Sequence, residues 1–337
     1  MLKYLHYNNM VGKKMQKVKR FLPAIIVTIL FVAVFAVCTV YDFQISLFLA
    51  DLEDGEYLST NIFGRIFEVI GELPVYLFMA FAFAVLVRKF GNFKGTTLGK
   101  IVSIFCAIIA VVGYFLALNE GLTYIFEYAK IDALMEEVLY DEIGEVLLSI
   151  ILYFITYKVI NKFSIKTIDR LVAFAVIIII TAVVSQVATK IIKIFAGRAR
   201  YRMMHLITTL TGEDAFSYYT PWYVFNMGAK VPTEWRELGV PSNGFNSFPS
   251  GHTSAGATTV VLFALPFLFA NLNNLKGKVL CYGVGAGFPL IVAISRVVMG
   301  AHFMTDVLAG FAITLVTYFI VATIFKKTKL YKILTES

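Results

Sequence analysis

The sequence predicts an all-α fold: a polytopic membrane bundle of about eight transmembrane helices. Three observations predict it. Apolar residues make up 59% of the 337 residues and charged residues 15%, against roughly 25% charged in a typical soluble protein. Mean hydropathy is +0.78. Apolar runs bounded by basic residues recur along the chain, and eight spans of ~20 residues would take up about half of it. Too little polar surface exists to cover such a core in water. The same figures exclude a disordered chain, a coiled coil and a disulfide scaffold.

The spans predicted from these runs are 22–41, 66–87, 101–118, 143–157, 171–192, 252–270, 279–298 and 303–325. The first follows a basic segment, but its apolar run is longer than the ~7–15 residues of a signal peptide and no small-x-small cleavage site follows. It reads as an uncleaved anchor. The second carries Glu68 and Glu72 in its outer half, and the fourth has Glu145 at its edge. Cys38, Cys106 and Cys281 each lie within an apolar run, without a cysteine or histidine at metal-ligand spacing, and read as small buried hydrophobes.

Orientation follows from the lysines and arginines. Segments 1–21, 88–100, 158–170, 271–278 and 326–337 hold 20 of the 30 basic residues and two acids, Asp169 and Glu336. These are alternate loops of an eight-span chain, whereas loops 42–65 and 119–142 are acidic. Both termini are therefore expected in the cytoplasm. Basic charge spread over five short loops is an orientation signal and excludes a nucleic-acid patch. A long outer segment, 199–251, breaks the rhythm. It is rich in Tyr, Trp, Phe, Gly and Pro, and a loop of this length is expected to border a site.

Three segments carry chemistry. Pro249-Ser250-Gly251-His252 opens the sixth span. Serine can cap the free amides of a helix start, glycine lets backbone approach a ligand, and the helix N-terminus attracts phosphate. A histidine there can hand on a proton. Ser295-Arg296 ends the seventh span, with His302 and Asp306 four residues apart on the first turns of the eighth. That spacing puts the pair on one face, where a carboxylate can fix the imidazole tautomer and leave the other nitrogen free to attack. Lys193 and Arg200, with Lys190, Arg198 and Arg202 nearby, form a basic cluster on the side where lysine and arginine are disfavoured. Guanidinium groups grip phosphate oxygens in pairs, and lysine adds a point charge.

In order, these segments resemble the type 2 phosphatidic acid phosphatase superfamily, which includes vanadium haloperoxidases and glucose-6-phosphatases. Its signature runs K-x6-R-P, then P-S-G-H, then S-R-x5-H-x3-D. The sequence matches it at Lys193, Arg200, Pro249 to His252, Ser295, Arg296, His302 and Asp306; Tyr201 replaces the proline. The resemblance implies that the last four to five helices form the phosphatase core. It implies 1–165 as N-terminal helices of unassigned role, 166–325 as the core with outer loop 199–251, and 326–337 as a basic cytoplasmic tail. By the same resemblance His302 is the nucleophile that forms a phosphohistidine, Asp306 orients it, and His252 is the general acid. Lys193, Arg200, Ser250, the Gly251 amide and Arg296 form the phosphate clamp. No cofactor and no metal are expected, because three cations and a helix dipole supply the stabilisation a magnesium ion would give.

The expected activity is hydrolysis of a lipid phosphate or diphosphate at the extracytoplasmic face of the cell membrane. Undecaprenyl diphosphate, phosphatidylglycerol phosphate and phosphatidic acid are the expected substrates, with membrane lipids as the surroundings. A lipid phosphotransferase is the alternative within the enzymes, and a non-catalytic phospholipid binder or transporter the alternative outside them. A binder has no use for both histidines and the aspartate. Glu68 and Glu72 read as an interfacial helix face, with the lining of a headgroup entry as the alternative, Gly283 and Gly287 as a small-residue packing face, and His205 with Glu213 and Asp214 as a solvated loop.

Overall fold

A computed structural model describes residues 2–91, 96–129 and 138–336. Among them the elements run α1 (Leu2–Leu49), α2 (Ile62–Gly71), α3 (Leu73–Gly91), α4 (Thr97–Ala129), α5 (Val138–Asn161) and α6 (Ile165–Ala196). After these come α7 (Tyr201–Thr211), α8 (Thr233–Glu237), α9 (Gly251–Gly256), α10 (Leu265–Leu268), α11 (Leu275–Val298), α12 (Met304–Phe325) and α13 (Lys329–Glu336). Eight helical stretches are long and apolar enough to cross a membrane, and each coincides with one predicted span. Leu30, Ile104, Ile151 and Val187 stand exposed on their outer faces, where lipid rather than water satisfies them.

Small residues set the close packing inside. Ala80, Ala82 and Ala84 of α3, Ala110 of α4 and Ala173 and Ala175 of α6 are buried in one cluster that also takes in Val260, Val261 and Tyr318. A Cβ added at Gly113 would meet Ala80 at 3.0 Å, so α3 and α4 touch almost backbone to backbone. The core crosses residue 165, joining the N-terminal helices to the segment that carries the motifs. Cys38, Cys106 and Cys281 are free and buried.

Side chains fix several helix starts as the sequence suggests. Asn61, Ser164 and Asn274 accept the backbone amides of Gly64, Thr167 and Gly277 at 3.0, 3.2 and 2.9 Å. The second span departs from expectation: it breaks at Glu72 into α2 and α3. Pro74 has no N–H to give Ile70, and the Glu72 amide turns to that carbonyl instead. The sixth span departs too. After α9 it tightens into a 3₁₀ stretch over Ala257–Ala264. Thr258, Thr259, Val260 and Val261 are all β-branched, and Thr259 Oγ1 donates to the carbonyls of Gly256 and Gly285 at 2.9 and 3.0 Å.

That contact corrects the small-residue face. Gly283 and Gly287 meet no neighbour among the described residues, whereas a Cβ at Gly285 would stand 3.0 Å from the Thr259 carbonyl oxygen. The third glycine of the run, lying between them, is the one that lets α11 approach the 3₁₀ segment. The outer segment also has its own core. Tyr201, Met203, Met204 and Ile207 of α7 bury against Val231, Trp235, Val240, Phe245 and Phe303. His205 belongs to α7 and is half-buried, not part of a solvated loop.

Candidate active site

Each predicted site residue sits where one helix ends or another begins. Gly197 stops α6 in the left-handed region (φ 53°), and its amide reaches back to the Lys193 carbonyl. The chain then crosses the bundle: the Arg200 amide donates to the Gly244 carbonyl at 2.9 Å and the Arg202 amide to the Gly300 carbonyl at 2.8 Å. Gly300 (φ 61°) makes the turn between α11 and α12 that carries His302. The Ser250 amide donates to the Asp306 carbonyl at 2.9 Å, which ties the start of α9 to the first turn of α12. Gly310 permits that approach, since a Cβ there would stand 2.5 Å from the Ser250 carbonyl oxygen.

His302 is buried, and its Nδ1 lies 2.6 Å from the Ser247 carbonyl oxygen. A carbonyl only accepts, so Nδ1 carries the proton and Nε2 keeps its lone pair. Asp306 Oδ2 is 3.8 Å from the same nitrogen, beyond hydrogen-bond reach. The tautomer is thus fixed first by Ser247, with Asp306 behind it. Burial pushes the His302 pKa down to about 3, helped by the nearby charges of Arg200 and Lys193 and opposed by Asp306. The imidazole is neutral at physiological pH, as a nucleophile must be.

Asp306 is itself held by the Ser247 hydroxyl at 2.5 Å, the Phe303 amide at 2.8 Å and Arg198 Nη1 at 2.5 Å. Arg198 also donates to the Thr305 hydroxyl, the Thr220 carbonyl and Asp42. It lies 4.1 Å over the Phe303 ring. With those donors partnered by protein groups, Arg198 is a scaffold and not part of the anion-binding cluster. Asp42, from α1, is the functional neighbour that the sequence did not reveal: nothing local marks it among the residues of an apolar anchor.

The motif arginines differ. Arg296 is fully buried; Nη1 contacts Glu68 at 2.5 Å, and Nε and Nη2 meet no hydrogen-bond partner among the described residues. Arg200 Nε and Arg202 Nε are likewise buried and without such a partner. A buried donor left unpaired costs about 1–3 kcal/mol, and more if charged. Buried guanidinium N–H groups left open are suited to an anion, and Arg200 and Lys193 lie close enough to His302 to act on its charge. Lys193 Nζ bonds the Asn246 carbonyl at 3.0 Å and lies near Gly251, 3.7 Å from where a Cβ would be. The Ser250 hydroxyl accepts from the Thr253 amide and hydroxyl at 3.3 and 3.1 Å. It caps α9 and keeps its own proton to donate.

Glu68 and Glu72 correct the reading of an interfacial face. Glu68 is buried and holds Arg296, with Arg202 at 3.7 Å and Tyr128 hydrogen-bonded to it. Glu72 Oε1 is 2.9 Å from His252 Nδ1. Their one-turn spacing faces inward because each meets a basic side chain, Arg296 or His252, that only the tertiary fold supplies. Glu72, Glu120 and His252 each offer a ligand atom within 4.8 Å of the others. On the opposite side an apolar groove of about 1110 Å³ runs between α1, α6 and α12, lined by Phe35, Phe195, Trp222, Phe248 and Ile313.

With this geometry in view, the comparisons with known proteins are direct. Residues 170–330 match the family model of the PAP2 superfamily. That segment, just under half of the chain, is of the PAP2 superfamily. Phosphatidylglycerophosphatase B of Bacillus subtilis is 29% identical over 201 residues, which cover 97% of that protein and 55% of this chain. No solved structure matches the chain. As a PAP2 protein it is a lipid phosphate hydrolase in a multi-pass membrane bundle. Asp42, Glu68 and Glu72 all precede the matched segment.

Proposed function

We propose that this PAP2 enzyme removes phosphate from a membrane lipid by way of a phosphohistidine on His302. The observation that carries the reading is a neutral His302 whose Nδ1 is already committed, with Arg200 and Lys193 close to it and buried N–H groups left open on Arg200 and Arg296. In this reading Nε2 attacks phosphorus while Lys193, Arg200, Arg296, Ser250 and the Gly251 amide hold the phosphoryl oxygens. His252 protonates the departing oxygen, and water then attacks the phosphohistidine. The likeness to a phosphatidylglycerophosphatase favours a phosphomonoester such as phosphatidylglycerol phosphate or phosphatidic acid, with undecaprenyl diphosphate in the same test panel.

The charge pattern supports cytoplasmic termini and an extracytoplasmic site. The two ends of the bundle differ as this requires: motif residues gather at one, while Lys89 and Asp169 pair at the other. The test is phosphate release from the lipid panel by purified protein, followed by rapid acid-free quench with labelled substrate. Label on His302 is expected, and none in His302→Ala. Full turnover by His302→Ala ends the proposal.

A further inference from the structure

We propose that Glu72 is the positioning residue for His252, contributed to the active site by a part of the chain that lies outside the matched family segment. The proposal rests on the reading of His252 as general acid. Glu72 sits at the break between α2 and α3 and meets His252 Nδ1 at 2.9 Å. A carboxylate only accepts here, so Nδ1 holds a proton and Nε2 is the atom that can exchange one. That Nε2 is buried and meets no hydrogen-bond partner among the described residues.

The ring is fixed on its other sides as well. Tyr124 of α4 stands edge-on at 5.6 Å between centroids. A Cβ on Gly71 would lie 3.6 Å from His252 Cδ2, and one on Gly256 would lie 3.0 Å from the Gly71 carbonyl oxygen. The α2–α3 break therefore presses directly on the motif helix α9. Glu68, Glu120, Lys193 and Arg296 are other charged groups near this pair.

The chemical step is a proton relay with fixed ends. The protonated His252 gives its Nε2 proton to the bridging oxygen as the phosphorus–oxygen bond breaks and the His302 Nε2–phosphorus bond forms. His252 is then neutral, with its Nδ1–H still donated to Glu72. When water attacks the phosphohistidine, Nε2 takes the water proton and the phosphorus–nitrogen bond breaks. Glu72 never leaves its carboxylate state; it stabilises the imidazolium before transfer and keeps Nε2 aimed throughout.

Leaving-group dependence tests this, because an activated aryl phosphate departs without a proton whereas an alkyl phosphate needs one. Glu72→Gln, Glu72→Asp and His252→Ala are assayed on phosphatidic acid in detergent micelles and on p-nitrophenyl phosphate. Losses are read in kcat/KM, which covers the steps up to leaving-group departure and not the later attack of water: Glu72→Gln is expected to lose about 10- to 100-fold on the lipid and less than about 3-fold on the aryl ester, and Glu72→Asp recovers most of the loss. Equal losses on both substrates, or none, while His252→Ala remains selective, overturn the role of Glu72 and leave His252 as the acid. A His252→Ala protein that loses both activities equally overturns the acid assignment, and the Glu72 proposal with it.

Discussion

Asp42 and Arg198 form a buried ion pair at 2.8 Å, between the first helix and the end of the sixth. The same guanidinium reaches Asp306 at 2.5 Å, so a carboxylate on the N-terminal anchor stands three contacts from the proposed nucleophile. Removing one partner of a buried pair strands the other charge. Asp42→Ala is therefore expected to destabilise the protein by about 3–5 kcal/mol and to lower kcat, seen by thermal unfolding in detergent alongside the phosphatase assay. Unchanged unfolding would show that Arg198 is satisfied without α1.

Asp306→Asn should reduce kcat with little change in KM. The Ser247 carbonyl already fixes the His302 tautomer at 2.6 Å, while Asp306 stands at 3.8 Å. The expected loss is therefore about 10- to 100-fold, as for an outer partner, and not the ~10⁴-fold of a triad aspartate in direct contact. Steady-state kinetics on the purified variant decide between these ranges.

His302 should remain neutral far below the ordinary histidine range. Its folded-state pKa is about 3, against ~6.5 unfolded. Below pH ~6.5 the unfolded chain takes a proton that the folded chain refuses, so this residue's contribution to stability is complete above pH ~6.5 and is lost as pH falls towards 3. Nitrogen-detected NMR on histidine-labelled protein should show no His302 protonation down to about pH 5. Titration near 6.5 would mean that the residue is hydrated.

Chelators should leave activity intact, and vanadate should inhibit by mimicking the five-coordinate phosphoryl state in the pocket of Lys193, Arg200 and Arg296. The group formed by Glu72, Glu120 and His252 sharpens the experiment. If EDTA abolished activity and a divalent ion restored it, Glu120→Gln should remove that restoration, and the clamp of protein cations alone would be refuted.

Sidedness can be read by thiol labelling in intact cells. The three native cysteines are buried in apolar helices, so introduced thiols report alone. Ser242 lies exposed in the outer segment and Lys327 exposed beyond α12. Ser242→Cys should react with a membrane-impermeant reagent and Lys327→Cys should not. The reverse pattern would put the site on the cytoplasmic side.

What could be read in the sequence divides along a physical line. His252, Arg296, His302 and Asp306 were legible because charge at the end of an apolar helix is costly and stands out. The spans were legible because lipid demands length. Glu68 and Glu72 were visible but misread, since a carboxylate near an interface looks the same whether it faces headgroups or a distant arginine. Asp42 read only as one acid of the 42–65 loop, because its partner follows more than a hundred residues later. The 3₁₀ stretch of the sixth span escaped too, because hydropathy measures greasiness and is blind to the threonine bonds that tighten the turn.

The order of these charges along the chain has a consequence for biogenesis. Asp42, Glu68 and Glu72 are all synthesised before the basic side chains that they meet, Arg198, Arg296 and His252. As each later helix leaves the ribosome and enters the bilayer, its counter-charge is already waiting there. A ribosome therefore never has to deliver an orphan arginine into hydrocarbon, and a gene fragment starting after Glu72 would ask it to do so twice.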